Sequence, residues 1–421
     1  MRNEKLNTKE KRLLYILFFY ISYLIFPLFA DITRIPNYIP AIAVVLYVYI
    51  FHNDCLSSKA LKSFYYYIIA LLLLGMVGHR VYINGLSFDT PFLWAITIET
   101  AWMLPSLLIM NVIVRLNNFR IYKYLGVGTL LLLIISFLYI LPMLMSSVAY
   151  LRSSSSFGDE SSRPMGVPGY ALMHAYTLVL VPLAWIVKSS KGSKQLIFIL
   201  ATLLFFYIVV QTAVSTSLVI AIFIFVFVLL MNPNNISISI VGWTIVGVSF
   251  IVLYYMGFFL DVVDALMPFF EDTPVEAKLV DLHNSMVAGH ITGDNLTVRM
   301  DVQNRSMHHF FENPLFGSND LPGAHSKIWD VLGTMGLLAG VPFLLVIWNS
   351  MKQWSNVAEN KITRIYVVFS LFIGCIYLYT KGIFSGEGWL FMIVIVPCII
   401  IWYSQQSIMV KKGRNQINSV I

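Results

Sequence analysis

The sequence predicts an all-α protein that crosses a membrane many times. Apolar residues make up 58% of the 421 residues and charged residues only 12%, whereas about a quarter of a soluble globular domain is charged. Mean hydropathy is +0.77. A membrane-spanning helix needs about 20 apolar residues, and about twelve such segments follow one another. Residues 1–421 are therefore predicted to form a single transmembrane domain.

The predicted spans end near residues 30, 51, 78, 114, 148, 187, 211, 231, 259, 350, 380 and 404. Two longer polar segments interrupt this series. Residues 149–167 form a smaller loop that is rich in serine. Residues 260–326, called the lid below, lie between the ninth and tenth spans and hold nearly half of the 21 acidic residues. The lid is predicted to be a large helical loop outside the membrane.

Basic residues predict which side each loop faces. Lys and Arg near short loops are retained in the cytoplasm, and with both termini inside, 19 of the 28 basic residues fall in cytoplasmic positions. Both long polar loops then face the periplasm or the exterior. The net charge of +7 follows from this topology. It does not indicate nucleic-acid binding, because the basic residues are spread over many short loops.

The first apolar run and the cysteines add two exclusions. The run that ends near Ala30 is about 18 residues long and ends Phe-Pro-Leu-Phe-Ala, which differs from the small-residue pattern of a cleavage site, so it predicts an uncleaved span rather than a secretory signal. Cys55, Cys375 and Cys398 are scattered along the chain. They predict neither a disulfide framework nor a metal site.

Within the lid, residues 295–312 are predicted to form an amphipathic helix that rests on the bundle or lies in the membrane interface. Arg299 lies beside its apolar stripe, at the boundary between lid and membrane. The stripe consists of Leu296, Met300, Met307 and Phe311. The opposite face, predicted to be solvated, consists of Arg305, His308 or His309, and Glu312.

A longer pattern begins at Arg299. About fifteen residues later comes the turn Pro314-Leu315-Phe316-Gly317, and His325 then precedes Gly336-Leu337-Leu338. These residues resemble the signature of the bacterial O-antigen ligase and polysaccharide-polymerase superfamily. In that family an Arg opens a periplasmic helix, a Pro-Leu-hydrophobic-Gly turn follows, and a His begins the next span. A weaker similarity is Arg163-Pro164-Met165-Gly166 ahead of the span that holds Tyr170 and His174.

The sequence departs from the family pattern at several positions. Gln303 stands where an aromatic residue is common, Asn319 replaces the second Gly of the turn, and Ser326 replaces an Asn after the His. Residues 215–217 read Ser-Thr-Ser where the family often carries a Ser-Arg pair. Another arginine would then have to bind the phosphate in place of that Arg.

The resemblance implies a fold like that of the glycosyltransferase C class and an inverting transfer of glycan from undecaprenyl diphosphate to a sugar hydroxyl. His325 would be the catalytic base, because neutral imidazole accepts a proton near neutral pH. Guanidinium groups bind phosphate oxygens in pairs and stay charged beside lipid. The arginines implied to bind the diphosphate are Arg299, Arg163, Arg305 and Arg152.

The sequence predicts that this chemistry needs no metal and no cofactor. Many metal-dependent glycosyltransferases carry an Asp-x-Asp pair, and no two Asp residues in this chain stand two positions apart. Asp261 with Asp301 or Asp330 is an alternative that would hold a divalent ion.

Glu99 is a separate signal, because it lies about seven residues below the outer surface in an apolar run. A charge at that depth usually faces a cavity or a charged partner. Glu99 is predicted to line the path of the acceptor, together with Tyr170, or to pair with an arginine. A structural buried bond is the alternative.

Together these features predict a polymerase that joins undecaprenyl-diphosphate-linked oligosaccharide repeat units into a surface polysaccharide, such as O-antigen or capsule. It would lie in the bacterial plasma membrane with its site facing outward. The alternatives are a ligase that transfers glycan to lipid A core or another acceptor, and a flippase or transporter of the lipid-linked glycan. The short interval between Gly317 and His325 favours the polymerase over the ligase. Charges concentrated in one lid favour an enzyme over a transporter.

The partners expected for such an enzyme follow from the proposed pathway. They are the lipid-linked oligosaccharide, membrane lipid, and a chain-length regulator and flippase of the same pathway. No nucleic-acid partner is expected.

Overall fold

A computed structural model describes residues 5–26, 29, 38–82, 90–146, 170–211, 215–232, 235–271, 276–288, 294–318, 326–380 and 385–418. These residues are almost entirely helical and contain no β-strand. The helices are α1 (Thr8–Ile25), α2 (Tyr38–Phe51), α3 (Lys59–Tyr82), α4 (Thr90–Leu116), α5 (Phe119–Ser146), α6 (Tyr170–Ser189), α7 (Ser193–Gln211), α8 (Ser215–Leu230), α9 (Ile236–Tyr255), α10 (Phe258–Leu266), α11 (Glu276–Ala288), α12 (Asp294–Glu312), α13 (Lys327–Val357), α14 (Lys361–Thr380), α15 (Gly386–Leu390) and α16 (Val396–Asn418).

Eight helical runs within the described residues are long and apolar enough to cross a membrane. They are α4, α5, α6, α7, α9, α13, α14 and the continuous run of α15 and α16. The prediction of an all-α protein with several membrane spans is thereby confirmed. Helices α2 and α8 are apolar but shorter, so the number twelve stays a prediction.

The centre of the bundle is formed by α6 and by the run of α15 and α16. Of the residues Leu172–Ser189, 83% are buried, and of Gly386–Ile408, 89%. A helix that is apolar on all sides is expected at the centre of a bundle. A π-helical turn, Phe391–Ile395, joins α15 to α16. Trp354 Nε1 donates a hydrogen bond of 2.6 Å to the carbonyl of Ile393 in this turn.

Polar contacts mark the end of the bundle opposite to the lid. Arg115, near the end of α4, pairs with Asp54 at 2.7 Å. Asn349 of α13 donates a hydrogen bond of 3.0 Å to Ser63, near the start of α3. The start of α4 and the Gly336 region of α13 therefore lie at the other end of the bundle, called the lid end below.

Helix α13 is broken at Gly336, which has φ 60° and ψ −163°. A Cβ atom built on Gly340 would lie 3.9 Å from Cα of Leu332, whereas residues eight apart in a straight helix are about 12 Å apart. The chain thus reverses at Gly336, and residues 327–335, called the returning segment below, pack back along the residues that follow.

The reversal changes where the tenth span begins. The sequence predicts that this span starts directly after the lid, at residue 327, but nine residues of returning segment come first. Residues 337–357 extend for about 31 Å as a helix, which matches a hydrocarbon core of about 30 Å. The returning segment and Glu99 on α4 both lie near the lid end.

The described part of the lid consists of two groups of helices. Helices α10 and α11 follow α9, with a 3₁₀ turn, Met267–Phe270, between them. Helix α12 packs against α13 instead. The Ser-rich loop of residues 149–167 lies outside the described residues.

Candidate functional site

The turn of residues 314–317 lies across the break in α13. A helix break leaves backbone amides without helical partners, and the turn supplies acceptors for two of them. The amide of Leu337 donates to the carbonyl of Pro314 at 2.7 Å, and the amide of Leu338 donates to the carbonyl of Leu315 at 3.2 Å. The turn therefore stabilises the reversed conformation of α13.

Glycines allow the two backbones to approach at this junction. Gly317 has φ +71°, and a Cβ atom there would overlap the backbone of Thr334. A Cβ atom on Gly336 would overlap the backbone of Leu315. Glycine adopts positive φ without steric conflict and lets another backbone come close. The prediction that Gly317 forms a turn is confirmed, and the spacing of the two motifs has a structural reason, since they bond to each other.

Helix α12 covers the predicted range, but it packs through another face. Ser306 is fully buried, and its Oγ donates to Oδ1 of Asp330 in the returning segment at 3.2 Å. Met300 and Phe311 of the predicted stripe are 42% and 67% exposed. These two residues do not rest on the bundle, whereas Met307 of the same stripe is half-buried. The Ser306 face packs instead because Gly333 opposite lets the backbones meet; the alternative, a stripe in the membrane interface, stays a prediction.

Arg299 lies on the packed side of α12. It precedes Ser306 by seven residues, which is two helical turns, so both Cα atoms lie on the same face. The side chain of Arg299 lies outside the described residues. Its backbone nevertheless lies on the same side of α12 as Ser306, which packs against α13. The contact between α12 and α13 is called the seam below.

The predicted solvated face of α12 is confirmed for three of its members. Arg305 is exposed, and His308, which is 72% exposed, pairs with Glu312 at 3.3 Å. His309 differs, because its Nδ1 lies 2.9 Å from Oγ of Ser318 beyond the turn.

Several predicted site residues cannot be placed. His325, Arg163 and Arg152 lie outside the described residues, as does the side chain of Tyr170, which begins α6. Their roles stay predictions. Ser326, the neighbour of His325, is buried, and its Oγ accepts a hydrogen bond of 3.3 Å from the amide of Trp329. Ser326 therefore caps the first turn of the returning segment.

Glu99 forms an ion pair with Lys327, which joins α4 to the start of the returning segment. The Glu99 side chain is 2% exposed and that of Lys327 18%. Within the described residues, Oε2 of Glu99 has no hydrogen-bond partner. The predicted partner was an arginine, so its residue type is corrected; a role in the acceptor path stays a prediction.

Lys327 was not predicted as this partner, because it stands at the outer edge of the tenth span, directly after the lid. A usable signal existed. A buried carboxylate needs a cation, and Lys327 stands directly before an apolar run, two positions after His325.

A second polar cluster surrounds Ser217, the last residue of the Ser-Thr-Ser stretch at 215–217. Ser217 is fully buried. Tyr377 Oη donates a hydrogen bond of 3.0 Å to Ser217 Oγ, which also lies 3.2 Å from Nδ1 of His174. Hydroxyl and imidazole groups thus surround this position.

In the part of the chain that the structure describes, no group of three or more His, Cys, Asp or Glu side chains is arranged to hold a metal ion.

No protein-family model matches the chain, and no curated protein matches it.

Proposed function

We propose that this protein is a membrane glycosyltransferase that polymerises undecaprenyl-diphosphate-linked oligosaccharide repeat units into a surface polysaccharide. One observation carries the proposal. The turn of residues 314–317 and the reversal at Gly336 dock α12, with Arg299 on its packed face, beside the returning segment that begins next to His325. The two motifs behind the family resemblance thus meet at one seam near the lid end.

The proposed reaction uses residues of this seam. The acceptor hydroxyl attacks the anomeric carbon of the donor while His325 takes its proton. The bond from that carbon to the diphosphate oxygen breaks, with inversion. Arg299, assisted by other lid arginines, stabilises the negative charge that develops on the leaving diphosphate. No metal or cofactor takes part in this proposal.

The topology belongs to the same proposal. The protein has twelve spans arranged as in the glycosyltransferase C class and lies in a bacterial plasma membrane, with both termini cytoplasmic and the lid outside. Contacts at one end of the bundle support this arrangement. Tyr47 Oη donates to the carbonyl of Lys9 in α1 at 3.0 Å, and Asn360 donates to Ser404 in α16 at 2.9 Å.

Purified protein in liposomes, supplied with lipid-linked repeat units, tests the proposal directly. Glycans of increasing length are expected from a polymerase. Transfer of one glycan to a separate acceptor would identify a ligase, and movement across the bilayer without new linkages a transporter. The short interval between Gly317 and His325 favours the first outcome.

His325→Ala is expected to lower the elongation rate by about two to four orders of magnitude, because a general base contributes roughly that much. His308→Ala is the matched control, since it removes an exposed imidazole from the same lid. Thermal unfolding in detergent would verify that both variants are folded. Elongation at the wild-type rate by a folded His325→Ala variant would exclude His325 as the base.

A further inference from the structure

The start of the returning segment brings a cation into the bundle. Lys327, the first residue of that segment, forms an ion pair with Glu99, whose side chain is 2% exposed. Trp102, three residues after Glu99 on α4, lies 3.8 Å from the position of a Cβ atom built on Gly386, the first residue of α15. The ion pair is therefore buried near the lid end of the bundle.

Lys327 keeps the capacity to bind a second anion. An ammonium group has three N–H donors, and in the described residues Glu99 is its one ion-pair partner. Its side chain is 18% exposed, nine times the fraction for Glu99. Lys327 is therefore the more accessible member of the pair.

An apolar groove begins at the residue that follows Lys327. A cavity of about 450 Å³ lies between α13 and α14, and Ile328, the residue after Lys327, lines one part of it. All of its lining side chains are apolar or aromatic, or bear sulfur. Other lining residues are Val341, Leu345, Trp348, Phe372 and Cys375.

The groove and the cation are complementary to one kind of molecule. A hydrocarbon chain fits an apolar lining, and a phosphate group at its end is attracted to an ammonium group. Leu345, Trp348 and Phe372 are 43%, 58% and 51% exposed, so the groove is open along its side and a chain can enter laterally from the bilayer.

We propose that this groove binds the isoprenoid chain of a polyprenyl diphosphate, with Lys327 bound to its phosphate oxygens. This inference rests on the proposed function and names the lipid subsite of the same enzyme. Glu99 is a positioning residue, which holds the Lys327 ammonium in the bundle and also repels the incoming phosphate. No covalent bond forms or breaks in this binding step.

The two members of the ion pair are expected to have opposite effects on affinity. The probe is farnesyl diphosphate, a short isoprenoid diphosphate, and the measurement is its dissociation constant for the purified full chain in detergent. Glu99→Gln removes the repelling carboxylate and is expected to strengthen binding by about threefold or more. Glu99→Gln combined with Lys327→Met also removes the cation, and is expected to weaken binding by about tenfold or more.

The double variant guards against unfolding. It removes both charges together, so it leaves no charge buried without a partner, and such replacements are often neutral for stability. Lys352→Met, at the opposite end of α13, is the matched control for the loss of a lysine. Wild-type affinity in the folded double variant would overturn the proposal, as would equal weakening by both variants, which a purely structural pair predicts.

The groove is tested separately. Leu345→Trp fills it and is expected to weaken binding of farnesyl diphosphate by about tenfold. Leu229→Trp is the control, because Leu229 is 75% exposed on α8 and does not line this groove. Unchanged affinity in Leu345→Trp would exclude the groove as the site of the chain.

A final comparison distinguishes the source of the phosphate. Geranylgeranyl diphosphate is expected to displace the probe, whereas nanodiscs of phosphatidylglycerol are not. Equal displacement by phosphatidylglycerol would show a site for ordinary anionic lipid and overturn the isoprenoid assignment. Binding of the probe requires no turnover. A protein that binds the probe through Lys327 but does not elongate glycan would refute only the proposed polymerase activity. Elongation with unchanged binding in the double variant would refute only this inference.

Discussion

Helices α11 and α12 belong to the same predicted lid, but they are attached to the protein in different ways. Helix α12 meets α13 backbone to backbone, where the amide of Ser318 donates to the carbonyl of Gly333 at 2.9 Å. Helix α11 contacts α10 through His283 and Asp264 at 3.2 Å, with side chains 30% and 49% exposed. Only 6% of the residues Ser237–Tyr255, which lead to α10, are buried.

The comparison shows that charge density alone does not identify the part of a polar loop that is fixed to the bundle. Both groups are rich in acids. Exposed ion pairs contribute little to stability, whereas backbone hydrogen bonds in an apolar environment are costly to leave unmade. The glycines opposite α12 therefore indicate which part of the lid is fixed to the bundle better than the acids do.

The largest expected effect is at Gly333. A methyl group there would overlap the backbone of Ser306, which a side-chain rotation cannot relieve. Gly333→Ala is expected to lower the free energy of unfolding by about 3 kcal/mol. Gly247→Ala on α9 is the control, because its added Cβ meets no described atom within 4 Å. Thermal unfolding in detergent measures the stability of both variants. Equal stability of the two would contradict the conclusion that close backbone packing fixes α12 to the bundle.

Lys327→Met is expected to have an effect of similar size. It leaves the carboxylate of Glu99, which is 2% exposed, without a cation, and it is expected to lower stability by about 3 kcal/mol. Glu99→Gln should cost less, since the more exposed Lys327 side chain can reach water. The free energies of unfolding of the two single variants and of the double variant give the coupling energy between Glu99 and Lys327. Additive losses would show that the ion pair does not hold the returning segment.

Ser306→Ala removes a hydrogen bond that crosses the seam. A loss of about 1 kcal/mol is expected, because the carboxylate of Asp330 loses one donor. Ser285→Ala on α11 serves for comparison, since Ser285 Oγ donates to the carbonyl of Asp281 within its own helix at 2.6 Å. A larger loss for Ser285→Ala in chemical unfolding would reverse the ranking of the two regions.

The smallest effect is expected at the contact between α10 and α11. Asp264→Ala removes one partner of a half-exposed pair, so the free energy of unfolding should fall by less than about 0.5 kcal/mol. The melting temperature should stay close to that of the wild type. A loss above 1 kcal/mol would mean that α11 contributes to the folded bundle as α12 does.

Much of the helical layout could be predicted from hydropathy. The predicted ends at residues 211 and 380 coincide with the ends of α7 and α14. The ends of α13 and α16 could not be predicted, because these helices continue past residues 350 and 404 into polar sequence. A hydropathy pattern shows where an apolar segment ends, whereas the helix can continue into polar sequence because its backbone hydrogen bonds are internal.

The candidate site was predictable only in part. Glu99 could be singled out because a buried charge in an apolar run is costly. Its lysine partner was harder to identify, because Lys327 is more than 200 residues away along the chain and is marked only by its place before an apolar run. The packing of α12 through Ser306 could not be predicted, because apolar spacing does not indicate where two backbones approach closely at a glycine.

The sequence by itself determined that this protein is a helical membrane bundle and where most of its helices lie, since the transfer of apolar side chains into lipid depends on local composition. The tertiary structure decided that α13 reverses at Gly336, that α12 packs through Ser306, and that Lys327 pairs with Glu99. These features depend on contacts between residues that are far apart in the sequence. Such contacts contribute to stability only after the helices have packed.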